Sequence, residues 1–197
     1  FFFGLYQYQL ILGDDTLNSG SNAAFLLKTD SSGNIIKFKN IDRVPTNILF
    51  DTNGDLLTCT FISTQVIIDN DTIHPVTSND ILLLRYDTAW NLISYKQSAG
   101  PVNADADYIM MNKRKEIYIA GDYGTYVATT VIGNDTLTSV GKEDVFVARY
   151  DSNCVALWAV SLGKDSSDVV RGMGIDSLGN AYITGNYQNK FLAGITF

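Results

Sequence analysis

Asp144-Val145-Phe146-Val147-Ala148-Arg149-Tyr150-Asp151 is the stretch on which the fold turns. In an extended chain Val145, Val147 and Arg149 fall on one face and Phe146, Ala148 and Tyr150 on the other, because successive side chains of a strand point to opposite sides. Both faces are largely apolar, as expected of a sheet sandwiched between neighbouring sheets. No helical periodicity of useful length competes with this alternation.

The stretch has two earlier counterparts, Phe25-Leu26-Leu27-Lys28-Thr29-Asp30 and Leu82-Leu83-Leu84-Arg85-Tyr86-Asp87. Asp30 to Asp87 is 57 residues and Asp87 to Asp151 is 64. Each copy is preceded by a related segment: Gly13-Asp14-Asp15-Thr16-Leu17, Asp69-Asn70-Asp71-Thr72-Ile73 and Gly133-Asn134-Asp135-Thr136-Leu137. A second anchor recurs as well. Asp51–Thr60 parallels Asp176–Gly185, with a degenerate copy over Lys115–Gly121, and Phe1–Gly4 fits the tail of the same unit. The steps from 4 to 60, 60 to 121 and 121 to 185 are 56, 61 and 64 residues. A period that drifts while its anchors hold means that loops vary around a fixed core.

Within the third unit four short strands are expected, over Tyr108–Met111, Glu116–Ala120, Val145–Tyr150 and Ala156–Val160. A four-stranded unit that buries both faces against copies of itself is a propeller blade. The expected fold is therefore all-β, with β-propeller blades of four-stranded antiparallel sheets and an extra hairpin near each Asp-Thr-Leu/Ile. Residues 1–197 read as a single repeat-built segment with approximate units 1–60, 61–121, 122–185 and a partial 186–197. Three to three-and-a-half blades do not close a ring, which typically takes four to eight. The stretch is thus expected to be a segment of a larger propeller, closed by remaining blades or a partner.

Turn chemistry agrees. Asp30-Ser31-Ser32-Gly33-Asn34, Asp51-Thr52-Asn53-Gly54-Asp55 and Asp176-Ser177-Leu178-Gly179-Asn180 share the form Asp-x-x-Gly-Asn/Asp. Asp bonds the backbone ahead of it, and Gly supplies a positive φ where the hairpin closes. Asp87-Thr88-Ala89-Trp90-Asn91 and Asp151-Ser152-Asn153-Cys154 lack the Gly, and a different turn is expected there.

The run Asp144–Asp151, then Ala156-Leu157-Trp158, then Asp176–Gly185 resembles the β-propeller repeat called SBBP. The resemblance covers nearly the whole chain and is strongest in the third unit; in the second, Gly is lost at Trp90 and Lys115. That repeat is common in large secreted bacterial proteins, particularly of Bacteroidetes, many of which leave by type IX secretion. The resemblance implies a fold and an extracellular or cell-surface address, and no shared catalytic residues. It also draws attention to the Bacteroidetes O-glycosylation pattern of Asp, Ser/Thr and a small or aliphatic residue. Thr16, Thr72 and Thr136 match once per unit, and Thr88 and Ser177 match too. Asn70-Asp71-Thr72 and Asn134-Asp135-Thr136 also match the N-glycosylation sequon.

Composition excludes some classes. The formal charge is −7, and no basic cluster exceeds Lys113-Arg114-Lys115, so the electrostatic footprint of a nucleic-acid binder is missing. No apolar run is long enough for a membrane-spanning helix. Cys59 and Cys154 are expected as two thiols. Asp51, Asn53 and Asp55 have a hairpin's Gly spacing and not that of an EF-hand. Asn103, Asp105 and Asp107 alternate as weak calcium ligands would, but Arg114 stands where the loop needs an acid. His74, the single histidine, sits in a loop before Pro75. No Gly-x-Ser-x-Gly elbow occurs. Tyr118, Tyr182 and Trp158 belong to strand patterns and are expected in the core, whereas Tyr6, Tyr8, Tyr123, Tyr126 and Tyr187 lie where strands enter loops and are expected as exposed ligand contacts.

The expected function is a non-catalytic secreted or cell-surface scaffold or adhesion module that binds protein or glycan through rim loops. The alternatives are part of a secreted polysaccharide hydrolase or lyase with its active site outside this segment, and a structural spacer in a surface assembly.

Overall fold

The structure, a computed structural model, describes residues 2–13, 15–41, 45–76, 79–99 and 104–188. Every regular element among them is a strand. In chain order these are β1 (Phe2–Leu12), β2 (Asp15–Thr29), β3 (Ile35–Ile41), β4 (Asn47–Phe50), β5 (Leu56–Ile62) and β6 (Val66–Ile68). There follow β7 (Asp71–Ile73), β8 (Asp80–Tyr86), β9 (Leu92–Gln97), β10 (Ala104–Met111), β11 (Ile117–Tyr123) and β12 (Thr129–Ile132). The last are β13 (Asp135–Thr138), β14 (Asp144–Tyr150), β15 (Ala156–Leu162), β16 (Val169–Ile175) and β17 (Ala181–Asn186).

The chain divides into two compact units, one of Phe1–Pro45 with Val66–Ile73 and one of Thr46–Gln65 with His74–Phe197. The first holds the antiparallel sheet β1-β2-β3 and the ribbon β6-β7. Its core includes Ala24 and Leu26, and Lys39 pairs with Asp69 at 2.5 Å. The second unit holds two four-stranded antiparallel sheets, β4-β5-β8-β9 and β10-β11-β14-β15, and the two-stranded sheets β12-β13 and β16-β17.

The two four-stranded blades share one burial logic. Their middle strands β5, β8, β11 and β14 all have five buried residues, then one half-buried, then one buried. The outermost strands β9 and β15 are only partly covered. Leu57, Cys59, Ile81 and Leu83 of one blade form a continuous core with Ile117, Ile119, Phe146, Ala148 and Tyr150 of the next. The strong two-face apolar pattern thus does what its sequence demands, each sheet burying both faces.

Each expected extra hairpin is present as a ribbon closed by a two-residue turn, seen in the pairings Leu12↔Asp15, Ile68↔Asp71 and Ile132↔Asp135. The first turn residue has positive φ in all three: 62° at Gly13, 54° at Asp69 and 62° at Gly133. Ile132 and Leu137 of the β12-β13 ribbon enter the core, and Asp135 Oδ2 accepts from the Ala159 amide of β15 at 2.7 Å.

The Asp-x-x-Gly turn is more general than its sequence form. Oδ1 of Asp30, Asp51, Asp151 and Asp176 each accepts from the amides two and four residues on. Asn112 Oδ1 does the same towards Arg114 and Glu116, and Asp87 Oδ1 accepts from Asn91. The fourth residue has positive φ throughout, at Gly33, Gly54 and Gly179 and also at Trp90 (65°), Lys115 (63°) and Cys154 (62°). The expectation of a different turn at Asp87 and Asp151 is corrected. The acceptor side chain dictates the loop, and burial of Trp90 and Cys154 offsets the left-handed backbone that a side chain disfavours.

Lys115 is exposed and has no such compensation. Lys115→Gly is expected to stabilise the fold by about 1 kcal/mol, and Trp90→Gly, which empties a buried site, to cost about 3 kcal/mol or more. Urea unfolding of the two variants checks the opposite signs.

Candidate functional site

The face of β14 and β15 that points away from β4-β5-β8-β9 carries Val145, Val147, Arg149, Trp158, Val160 and Leu162, and it forms one wall of a cleft of about 790 Å³. The facing wall comes from the β16-β17 hairpin and includes Ala181, Ile183 and Gly185. Val145, Val147, Ala120 and Val170 form the buried floor where the hairpin meets the blade.

Polar groups fix one end of the cleft. Tyr118 is fully buried, packs edge-to-face on Trp158 at 6.2 Å, and donates its hydroxyl to the Gly179 carbonyl at 2.8 Å. A Cβ at Gly179 would lie 3.2 Å from that hydroxyl, and φ there is +92°, so the turn needs glycine for two reasons. Arg149 pairs with Glu116 and lies 5.7 Å from the Tyr118 ring centroid. Asn112 and Arg149 hold the Glu116 carboxyl below the usual carboxylate range. The Arg149 Nε is buried without a hydrogen-bond partner.

Next to Val170 of the floor lies an acidic group. Asp122 Oδ1 accepts from the Val170 amide at 2.7 Å, which ties β11 to β16. Burial pushes the Asp122 carboxyl up to about 7, with the charges of Asp107 and Glu143 adding to the effect against the hydrogen bond and Arg171. Burial also raises Asp105 and Asp107, Asp105 further through Glu143 and Asp107 further through Asp105.

Asn103 lies outside the described residues. Asp105 and Asp107 are separated by a register shift between Ala106 and Tyr108, and no cluster of three His, Cys, Asp or Glu suited to a metal occurs among the described residues. Asp51 is spent on its turn through Oδ1 and on Arg85 through Oδ2 at 2.8 Å. His74 is exposed, and its carbonyl accepts from Gln97. Cys59 and Cys154 are both buried thiols.

Two of the five expected tyrosine contacts are corrected. Tyr6 is buried and donates to Asn40 Oδ1 at 2.7 Å. Tyr123 is buried against Phe146 and donates to Ser161 Oγ at 2.6 Å, with its hydroxyl pushed up to about 12 by burial. Both rings point inward because they continue the apolar alternation of β1 and β11 past the point where a loop was expected. Tyr8, Tyr126 and Tyr187 are 72%, 67% and 61% exposed. Among the expected core aromatics, Tyr182 is exposed instead, and its hydroxyl donates to Asp176 Oδ2 at 3.0 Å. Thr16, Thr72, Thr88, Thr136 and Ser177 are all exposed.

Sequence reasoning missed a third repeated device. Asp80, Asp144 and Asp168 are buried, and Oδ2 of each accepts from the amide four residues before it, at Val76, Val140 and Lys164. The signal was present: a polar loop ending in Asp at the start of a strand, at Asp80, Asp144 and Asp168. Ahead of Asp144 lies a pinned loop pair. Ser139, buried, donates to the Tyr126 carbonyl at 2.6 Å and accepts from the Ala128 amide, while the Tyr126 amide donates to the Lys142 carbonyl. Tyr126, Val127 and Val140 stand exposed on that pair.

Residues 160–186, from the end of β15 through β17, match the family model of the SBBP β-propeller repeat. No curated protein matches the chain. The matched residues contain the hairpin that walls the cleft.

Asp122 gives the site a pH dependence. Its folded-state pKa is raised, so ionisation is harder in the folded chain; stability falls as pH rises from about 4 to about 7 and is level above that. Asp122→Asn keeps an acceptor for the Val170 amide. It is expected to stabilise the fold at about pH 8.5 by on the order of 2 kcal/mol, a figure discounted for partial solvent exposure, with almost no effect at about pH 4. Thermal melts across that range read the difference.

Proposed function

We propose that this chain is part of a non-catalytic β-propeller scaffold of an extracellular or bacterial cell-surface protein, which binds a protein or glycan through loops at one rim. The carrying observation is the exposed trio Tyr126, Val127 and Val140, held on a loop pair by the buried Ser139 hydroxyl. An amphipathic ring and two apolar side chains kept in water on a pinned backbone lose little entropy on binding, as a recognition surface requires. Rigid strands that carry variable loops suit this role.

The carboxylates support the non-catalytic reading. Asp30, Asp51, Asp87, Asp151 and Asp176 hold turns, and Asp80, Asp144 and Asp168 hold the loops before strands. Asp55 and Glu116 are committed to Arg85 and Arg149.

Binding by the immobilised chain on a glycan array, and to extracts of surface protein, is expected to fall at least about tenfold in the double variant Tyr126→Ala, Val127→Ser, with thermal stability within about 0.5 kcal/mol of the parent. Unchanged binding by that variant sinks the assignment of this loop.

A secreted address also carries a modification. The exposed hydroxyls of Thr16, Thr72 and Thr136 stand at equivalent places just past the ribbon turns, and we infer that at least one bears an O-linked glycan in the native protein, with Thr88 and Ser177 as further acceptors. Peptide mass mapping of native material is expected to find added hexose mass on these peptides; finding all five bare contradicts the inference.

A further inference from the structure

Asn53-Gly54 is the single Asn-Gly pair in the sequence, and it forms the tip of the turn between β4 and β5. Glycine is required at 54, where the backbone is left-handed with a φ of 86°. Position 53 carries no such demand. The equivalent third residue of the other turns of this form is Ser32, Ala89, Arg114, Asn153 or Leu178. The turn therefore sets an asparagine before the one residue type whose own amide no side chain covers.

That pairing has a chemistry of its own. Asn53 and Gly54 are both exposed, and the Asn53 side-chain amide makes no hydrogen bond among the described residues. The side chain is thus free to bring its Cγ to the Gly54 nitrogen. In the closed turn that nitrogen is occupied. The Gly54 amide donates to the Asp51 carbonyl at 3.0 Å, and the Asn53 amide donates to Asp51 Oδ1 at 2.7 Å. Reaction runs through brief opening of the turn, which an exposed hairpin tip undergoes far more readily than the sheet behind it. Asn153-Cys154 is an internal comparison at the same place in the β14-β15 turn. There the Cys154 side chain is buried in the core, which holds that turn shut and covers its amide.

We propose that Asn53 is a site of spontaneous modification in the folded protein, its side-chain amide giving way to isoaspartate and so loosening a contact between blades. The Gly54 nitrogen gives up its proton and attacks Asn53 Cγ. A new C–N bond forms, the bond from Cγ to the side-chain nitrogen breaks, and that nitrogen leaves as ammonia, taking up a proton. Water then opens the resulting cyclic imide. Opening at the main-chain carbonyl frees a carboxylate there and leaves the chain running through the former side chain, with an extra methylene in its path.

The consequence follows from what the turn holds. Asp51 Oδ1 captures the amides of Asn53 and Asp55, and its Oδ2 binds Arg85 at 2.8 Å. Arg85 also binds Asp55, and its Nη1 donates at 2.8 Å to the Ser152 carbonyl of the next blade. An extra methylene between Asn53 and Gly54 moves the Asp55 amide out of this register. Asp51 and Asp55 then no longer converge on Arg85, and its link to Ser152 weakens. The modification does not depend on what the Tyr126 loop binds.

The test keeps the chain folded in mildly alkaline buffer, where the amide proton is lost more easily, and maps its peptides by mass over time. Asn53 is expected to convert at least roughly tenfold faster than Asn153, with isoaspartate as the main product. The aged chain is expected to melt below the fresh one. Asn53→Asp, with the same charge on a main chain of normal length, is expected to melt with the fresh parent. Asn53→Ser, which copies the first turn, is expected to keep its melting temperature on ageing. Asn53 left intact in the folded chain overturns the site, conversion in the urea-unfolded chain showing that the chemistry was available. An aged chain that carries isoaspartate at 53 and melts with the fresh parent overturns the loosening.

Discussion

Two-sided burial of the middle strands is the constraint on which everything else rests. β5, β8, β11 and β14 each hide both faces, so no blade is complete without a neighbour on either side. At roughly 25 cal/mol per Å² of apolar surface removed from water, one face of such a strand outweighs any turn or ion pair in the chain. Loop lengths can then drift between units without cost to the core, because the strands are fixed by contacts between blades.

The turns add a second layer of specification. A carboxylate or amide oxygen at the first position captures two amides ahead, and this capture survives loss of the glycine that marks the turn in sequence. Lys115, Trp90 and Cys154 all take the left-handed conformation for that reason. The buried Asp80, Asp144 and Asp168 act likewise on the loops before strands, and each ties an irregular segment to the start of a regular one. Most of the acidic excess of this chain is thereby structural.

Much of this was legible in the sequence. The alternation in Asp144–Asp151, the spacing of its copies and the Asp-Thr-Leu/Ile hairpins led directly to the strands and ribbons observed. The site was less legible, for definite reasons. Tyr6 and Tyr123 looked like loop residues because the strands run further than the repeat pattern suggested, and Tyr182 looked like core because it follows a strand pattern, although among the described residues its strand β17 pairs on one side only. The place of Asp122 between β11 and β16 depends on a contact between blades, which no local pattern encodes.

The inner seam between the blades has a chemical consequence. Cys59 is fully buried, shares the Ala106 carbonyl with Thr46, and has its thiol pushed up to about 12 by desolvation. Cys154 is buried on the same core and is raised as well. A thiol without thiolate character or access is a poor nucleophile. These two residues are therefore shielded from oxidants and from disulfide exchange while the blades stay packed. Opening the seam would remove that shield from both sulfurs at once.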